Sequence, residues 1–351
     1  MRFIHLSNVR LEQEDIRAFR DIDFNEERWE DLKKVMTTCN EYNVDALFIT
    51  GNLFGKVPEE KDVKRLDELF ALLKATRVYL LTGTMDAPDV PTDAQNYTFA
   101  SDVTVFSGDT IQRVYVAGWN AEITAVGYSP RTWTKIDPQS LKRGKKGVIQ
   151  ILLLPFLLDE TSIEGLDNMN FEFDYAGIGQ QVLYKGNGSN KLFSPGIFTP
   201  TGLSSQSGHG FFMVTMNVGR KQEVSQIRQF VNAVKREYMS LTVGLTPDLS
   251  FEDVTGQLKE TFNRLGENNI YDITLEGGMS PTVFYHKDEL EQAGLIEHIT
   301  DATDMKKTVE AVKNYKDNEA LSRFARSLFS SDEEPDEIRI RALRFGMQEL
   351  L

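Results

Sequence analysis

Few residues in this 351-residue chain are of a type that does chemistry unaided, which narrows what it can catalyse. There is one cysteine, Cys39, so a single chain can build neither a disulfide framework nor a thiolate metal site. Its helical spacing from Trp29, Leu32 and Met36 reads as a buried, inert thiol. The four histidines are a scarce supply for a metal enzyme that relies on imidazole. His5 alternates with Phe3 and Ser7 along a strand and reads as a hydrogen-bonded structural histidine. His209 opens a strand after a glycine-rich turn, and His286 and His298 lie outside the expected cleft. Asp86, Asp159 and Asp174 could form an improvised acidic site, although scattered carboxylates of this kind read first as turns or caps.

The elements that must position these residues are legible in the first half. RFIHLS (2–7), VDALFIT (44–50) and RVYLLTG are short β-rich runs. A helical stripe at 27–42 and a second helix from about Pro58 to Lys74, carrying Val63, Leu66, Phe70 and Leu73, lie between them. This β-α-β-α-β order predicts a sheet with right-handed crossovers. From about residue 103, VTVFSG, RVYVAGW and ITAVGY predict a second, mixed or antiparallel sheet, joined by the buried strand GVIQILLLPF and by DYAGIG and GHGFFMVTMN. Residues 220–240 read as charged and partly helical. REYMSLTVGL, a helix near Phe251 to Leu265 and IYDITLEGG then form a small β-α-β unit. After His286 the pattern is helical and polar, with SSDEEPDE (330–337) as an exposed linker before the amphipathic IRIRALRFGMQELL. The expected domains are 1–236, 237–285 and 286–351.

A formal net charge of −14 disfavours indiscriminate polyanion binding, and LKRGKKG (141–147) reads as a solvated turn, with phosphate contact as the alternative. No run of eighteen apolar residues occurs and the start MRFIHLSNVR lacks the order of a signal peptide, so the expectation is a soluble, cytoplasmic protein.

Residues that act sit on loops at strand ends. There, HLSNVRLE, FITGNLFG, LLTGTMDAP, ILLLPF and YAGIGQQV fall in the order and flanking context of the five calcineurin-like metallophosphoesterase motifs. The flanks most resemble the SbcD-type DNA double-strand-break repair exonucleases. The resemblance is clear over roughly residues 1–220, and it implies a two-sheet α/β/β/α metallophosphoesterase sandwich with a small α+β capping domain and a helical C-terminal tail.

Carried over residue by residue, the resemblance implies that the ligand set is lost. Asn8 stands at an Asp ligand, Arg10 at a His, Asn52 at the bridging Asp and Gly55 at the later acid. Thr84 replaces an Asn ligand and Met85 a His, while Asp86 is retained. Pro155, Gln180 and Val182 stand at three further histidines. Gly51, Gly83 and Gly179, beside these positions, survive.

Such enzymes hold two Mn or Mg ions with anionic oxygen and imidazole, which generate a hydroxide nucleophile. Asn8 and Asn52 keep oxygen but remove charge, and Met85, Pro155 and Val182 offer no hard donor. Arg10 would repel a divalent ion by about 8 kcal/mol at roughly 4 Å and an effective dielectric of about 20. The expectation is therefore no catalytic residue, no resident cofactor and no metal. Arg10 remains a candidate for binding a DNA phosphate bidentately, unless it pairs with Glu12 or Asp86.

The leading reading is a pseudoenzyme serving as scaffold or regulatory subunit. The resemblance implies a coiled-coil SMC-like ATPase, DNA and a second copy of the chain as partners, and no membrane. Ile338, Ile340, Leu343, Met347 and Leu350 are the candidate partner contacts, with packing onto the chain's own domain as the equal alternative. The alternatives to the pseudoenzyme are an active metal-dependent phosphoesterase or exonuclease with a non-standard ligand set, and a DNA-binding module without partners.

Overall fold

Strand alternation in the first half dictates two buried faces. In the computed structural model, β1 (Arg2–Leu6), β2 (Ala46–Thr50) and β3 (Arg77–Leu81) lie side by side in parallel, joined through α1 (Phe24–Glu41) and α2 (Glu60–Phe70). Residues 1–14, 22–87, 92–108, 110–128, 147–155, 173–179, 183–184, 192–200, 208–219, 223–329 and 335–350 are described. Ile4, Leu6, Leu47, Ile49, Val78 and Leu80 pack against Trp29, Leu32, Met36 and Cys39 of α1 and Leu66 and Phe70 of α2. The intervening Phe3, Ala46, Phe48, Tyr79 and Leu81 point the other way and meet the second sheet.

β4 (Val103–Phe106) continues the parallel run beside β3, whereas the sequence reading began the second sheet there. Phe106 is buried in the intersheet core alongside Tyr79, which holds β4 in the first layer. On the other edge, β11 (Gly210–Val218) pairs antiparallel with β1, and β12 (Val224–Asn232) pairs antiparallel with β11. The latter corrects the expectation of helix in 220–240. Its polar composition belongs to an edge strand open on much of its surface, where even Ile227 is 71% exposed.

The second sheet comprises β5 (Gln112–Val116), β6 (Ala121–Ala125), β7 (Ile149–Leu154), β8 (Tyr175–Ile178), β9 (Leu183–Tyr184) and β10 (Leu192–Pro195). Their order is β5-β6-β7-β8-β10-β9, against β12-β11-β1-β2-β3-β4 in the first sheet. Ile123, Ile151, Leu153, Tyr175 and Phe193 fill the space between the sheets. The layers are thus α1 and α2, the first sheet and then the second sheet. Segments 129–146 and 156–172, which follow β6 and β7 and include most of LKRGKKG, lie outside the described residues.

The chain divides into two units, Met1–Lys235 and Arg236–Leu351. In the second, β13 (Tyr238–Leu245), α3 (Phe251–Leu265) and β14 (Ile270–Gly277) form the expected β-α-β, its strands parallel, with Ser250 capping α3 through Asp253 N at 3.1 Å. β15 (Ile296–Thr303) adds a third parallel strand that sequence reasoning missed, because only Ile296 of it is buried and no apolar alternation marks it.

α4 (Pro281–His286), α5 (Met305–Lys313), α6 (Glu319–Leu328) and α7 (Glu337–Leu350) complete this unit. Val283, Val309, Leu321, Leu343 and Met347 share one core with Val254, Leu258 and Ile273. The segments read separately as 237–285 and 286–351 therefore form one body. Among the described residues, no helix is long and apolar enough to cross a membrane.

Candidate functional site

The C-terminal ends of β1 and β2 feed two loops that run alongside each other. Asn8 N donates to Gly51 O at 3.1 Å, Arg10 N to Asn52 O at 3.1 Å and Leu11 N to Leu53 O at 2.9 Å, and Gly55 N returns a bond to Leu11 O at 2.7 Å. This interlock holds alternate residues of the first loop in left-handed backbone: Asn8 at φ +52°, Arg10 at +57° and Glu12 at +58°. Asn52 sits at φ +50° opposite. Asparagine tolerates that region better than most residues, whereas an arginine or glutamate there is strained by about 1–3 kcal/mol.

Asn52 Nδ2 donates to Asn8 Oδ1 at 2.8 Å, and Asn8 Nδ2 donates to Gly179 O at 3.2 Å. Asn52 Oδ1 in turn accepts from Met85 N at 2.9 Å and Thr84 Oγ1 at 3.4 Å. The positions where the resemblance places an Asp ligand and the bridging Asp thus form one neutral amide network with the third loop. Gly83 and Gly179 are glycine for lack of room. A Cβ on Gly83 would lie 2.3 Å from Asn52 N, and one on Gly179 would lie 1.8 Å from Thr50 O and 2.2 Å from Pro155 O.

Arg10 is 8% exposed, and burial together with the nearby Arg28 guanidinium lowers its pKa. Glu12 Oε1 accepts from the Trp29 indole at 2.9 Å, while Asp86 accepts from Gly83 N at 2.6 Å and Phe54 N at 3.3 Å. Burial raises the Asp86 pKa to about 6. Arg28, which sequence reasoning passed over, donates to Asn25 Oδ1 at 2.8 Å from the buried side of α1. A basic residue adjoining Trp29 in an apolar stripe was the available signal.

His5 has both ring nitrogens engaged, Nδ1 with Tyr175 Oη at 2.7 Å and Nε2 with Thr50 Oγ1 at 2.8 Å. Burial pushes its pKa down to about 3, so it is a neutral structural link between the sheets. His209 is buried, His286 pairs with Glu289 at 2.7 Å, and His298 is exposed on β15. Asp174 accepts from Gln150 N at 2.8 Å and ties β8 to β7. Gln180, Val182 and Asp159 lie outside the described residues. Among those described, no three His, Cys, Asp or Glu side chains come together.

The donor set described at this cleft does not fit a pair of divalent ions. Its amide oxygens already accept from N–H and O–H groups, Pro155 is apolar, the Met85 thioether is soft, and Arg10 carries positive charge. What it can do is tie the strand-end loops together.

The five apolar positions of the last helix are divided by the structure. Leu343 and Met347 are fully buried in the second unit's own core, with Ile340 and Leu350 packed against it. Ile338 is 80% exposed, as is Phe345 at 68%, which the sequence reading left out.

No protein-family model matches this sequence, and no curated protein matches it. Among solved structures it is similar to wild-type Vps29 of Entamoeba histolytica complexed with zinc. That alignment covers 66% of this chain and 99% of the other, at 11% identity and a TM-score of 0.30. Chaetomium thermophilum Vps29 aligns over 67% of this chain and 99% of its own, at 10% identity and a TM-score of 0.27.

Proposed function

We propose that this chain is a non-catalytic scaffold or regulatory subunit built on a metallophosphoesterase-like fold, and that it acts with a coiled-coil ATPase and DNA. The observation that carries the first half is the Asn8–Asn52 amide pair, which stands where a phosphoesterase needs anionic oxygen. A neutral hydrogen-bonded pair supplies no charge to hold a divalent ion and no means of making hydroxide at neutral pH. Arg10, beside Arg28, adds a cationic deterrent. The partner assignment rests on the sequence resemblance and on the exposed Ile338 and Phe345 of α7.

The test joins metal content with activity. Purified protein equilibrated with Mn²⁺ and desalted is expected to retain less than one ion per chain and to leave DNA and phosphodiester substrates uncleaved. Two retained ions, or hydrolysis abolished by Asp86→Asn, would establish the enzymatic alternative. Binding to DNA that falls with added salt and is weakened by Arg10→Glu supports phosphate contact at that residue, and unchanged affinity removes it. Co-purification of a coiled-coil ATPase, lost in Ile338→Glu/Phe345→Glu, tests the partner surface.

A further inference from the structure

A cavity of about 340 Å³ opens in the first unit between the second loop, α2 and the edge of β3 and β4. It is separate from the amide network, and its wall is mainly apolar: Phe54, Val63, Leu66, Leu80, Phe99 and Val105 among others. Its size is within the range of pockets that take small organic ligands. Among the described residues, Asp86 is the one charged side chain that lines it.

The environment of that carboxylate is unbalanced. Asp86 is buried, and its neighbours are backbone amides, Gly83 N at 2.6 Å and Phe54 N at 3.3 Å, with those of Leu53 and Asp86 itself further contributors. Amide dipoles solvate a carboxylate without neutralising it, and among the described residues no lysine, arginine or histidine lines the cavity. The aromatic residues Phe54, Phe99 and Tyr97 border the same space, and aromatic rings can attract cations. An anion set in an apolar, aromatic wall without a counter-charge is complementary to a molecule with an apolar body and one positive charge.

We propose that this cavity is a binding site for a small aromatic or alkyl ammonium compound, its body among Phe54, Leu66 and Phe99 and its cation held by Asp86. The assignment is independent of the proposed scaffold role, since it uses neither the Asn8–Asn52 pair nor the last helix. Placing Asp86 on the turn that also carries Met85, whose amide bonds Asn52, brings such a ligand close to the loop network without entering it.

The full chain is titrated calorimetrically with three probes of one shape: phenethylamine, 2-phenylethanol and 3-phenylpropionate. The proposal expects phenethylamine to bind most tightly, at least about 10-fold better than the alcohol, with the carboxylate weakest. Asp86→Asn should weaken the amine about 10-fold or more and leave the alcohol within about 2-fold. Ala94→Trp, at a partly exposed lining position, should remove binding of both. Because the probe series is read on the unaltered protein, it decides the matter even if a variant does not fold. Failure of all three probes, equal binding of amine and carboxylate, or amine binding unaffected by either folded variant would overturn the assignment.

Discussion

Asn52 and Asn8, 44 residues apart, are joined by a 2.8 Å amide hydrogen bond while both backbones hold left-handed φ. The bond has a direction, with Asn52 donating and Asn8 accepting, and that direction makes the pair sensitive to a change that alters no shape. Asn52→Asp sets a carboxylate against the Asn8 oxygen. It should cost about 1–3 kcal/mol in urea unfolding near neutral pH. In Asn8→Asp/Asn52→Asp, two facing carboxylates should lower the melting temperature at neutral pH, and Mn²⁺ should restore it. The unaltered protein should show no shift with Mn²⁺, and a rise of several degrees there would contradict the scaffold reading.

Asp86 and His5 give stability opposite pH dependences. The Asp86 pKa rises from 3.8 to about 6 on folding. Its contribution is therefore fully present below the unfolded pKa and is lost as pH climbs through about 6, by up to about 3 kcal/mol. His5 falls from 6.5 to about 3, so its contribution is present above 6.5 and lost on acidification, by up to about 5 kcal/mol. Between about pH 4 and 6 the two partly cancel. Asp86→Asn should steepen the loss on acidification, and His5→Gln should uncover a gain. Urea unfolding across that interval reads both slopes, and parallel curves for all three proteins would refute the assignment.

Gly179→Ala should not yield a native fold. The added methyl meets Thr50 O at 1.8 Å and Pro155 O at 2.2 Å, both backbone atoms of interior strand ends that have no side-chain torsion with which to yield. Overpacking of this kind costs about 1–3 kcal/mol where neighbours can adjust and more where they cannot. Soluble expression with an unchanged melting temperature would show that the loops are looser than their contacts imply.

Along α7, position decides consequence. Leu343→Ala or Met347→Ala opens a cavity in the second unit's core and should cost about 2–5 kcal/mol in thermal or urea unfolding. Ile338→Glu and Phe345→Glu, at exposed positions, should stay within about 0.5 kcal/mol. Deleting residues 330–351 removes Leu343 and Met347 as well, so loss of a partner after that deletion would report unfolding and binding together. The two surface variants separate these effects.

By itself the sequence determined the parallel β-α-β-α-β run, because Ile4, Leu47 and Val78 alternate with Phe3, Phe48 and Tyr79 and each set needs its own apolar layer. It also determined that the strand-end loops carry Asn8, Arg10 and Asn52, since charge and donor type are properties of the residues alone. Only tertiary structure decided that Asn8 and Asn52 meet and that Asp86 turns toward backbone amides. Asn8 and Asn52 are 44 positions apart and Asp86 and Phe54 are 32 apart, and no local periodicity encodes such distances. The same holds for β12 and β15, whose polar sequences have little reason to be strands except the backbone donors and acceptors that β11 and β14 offer them.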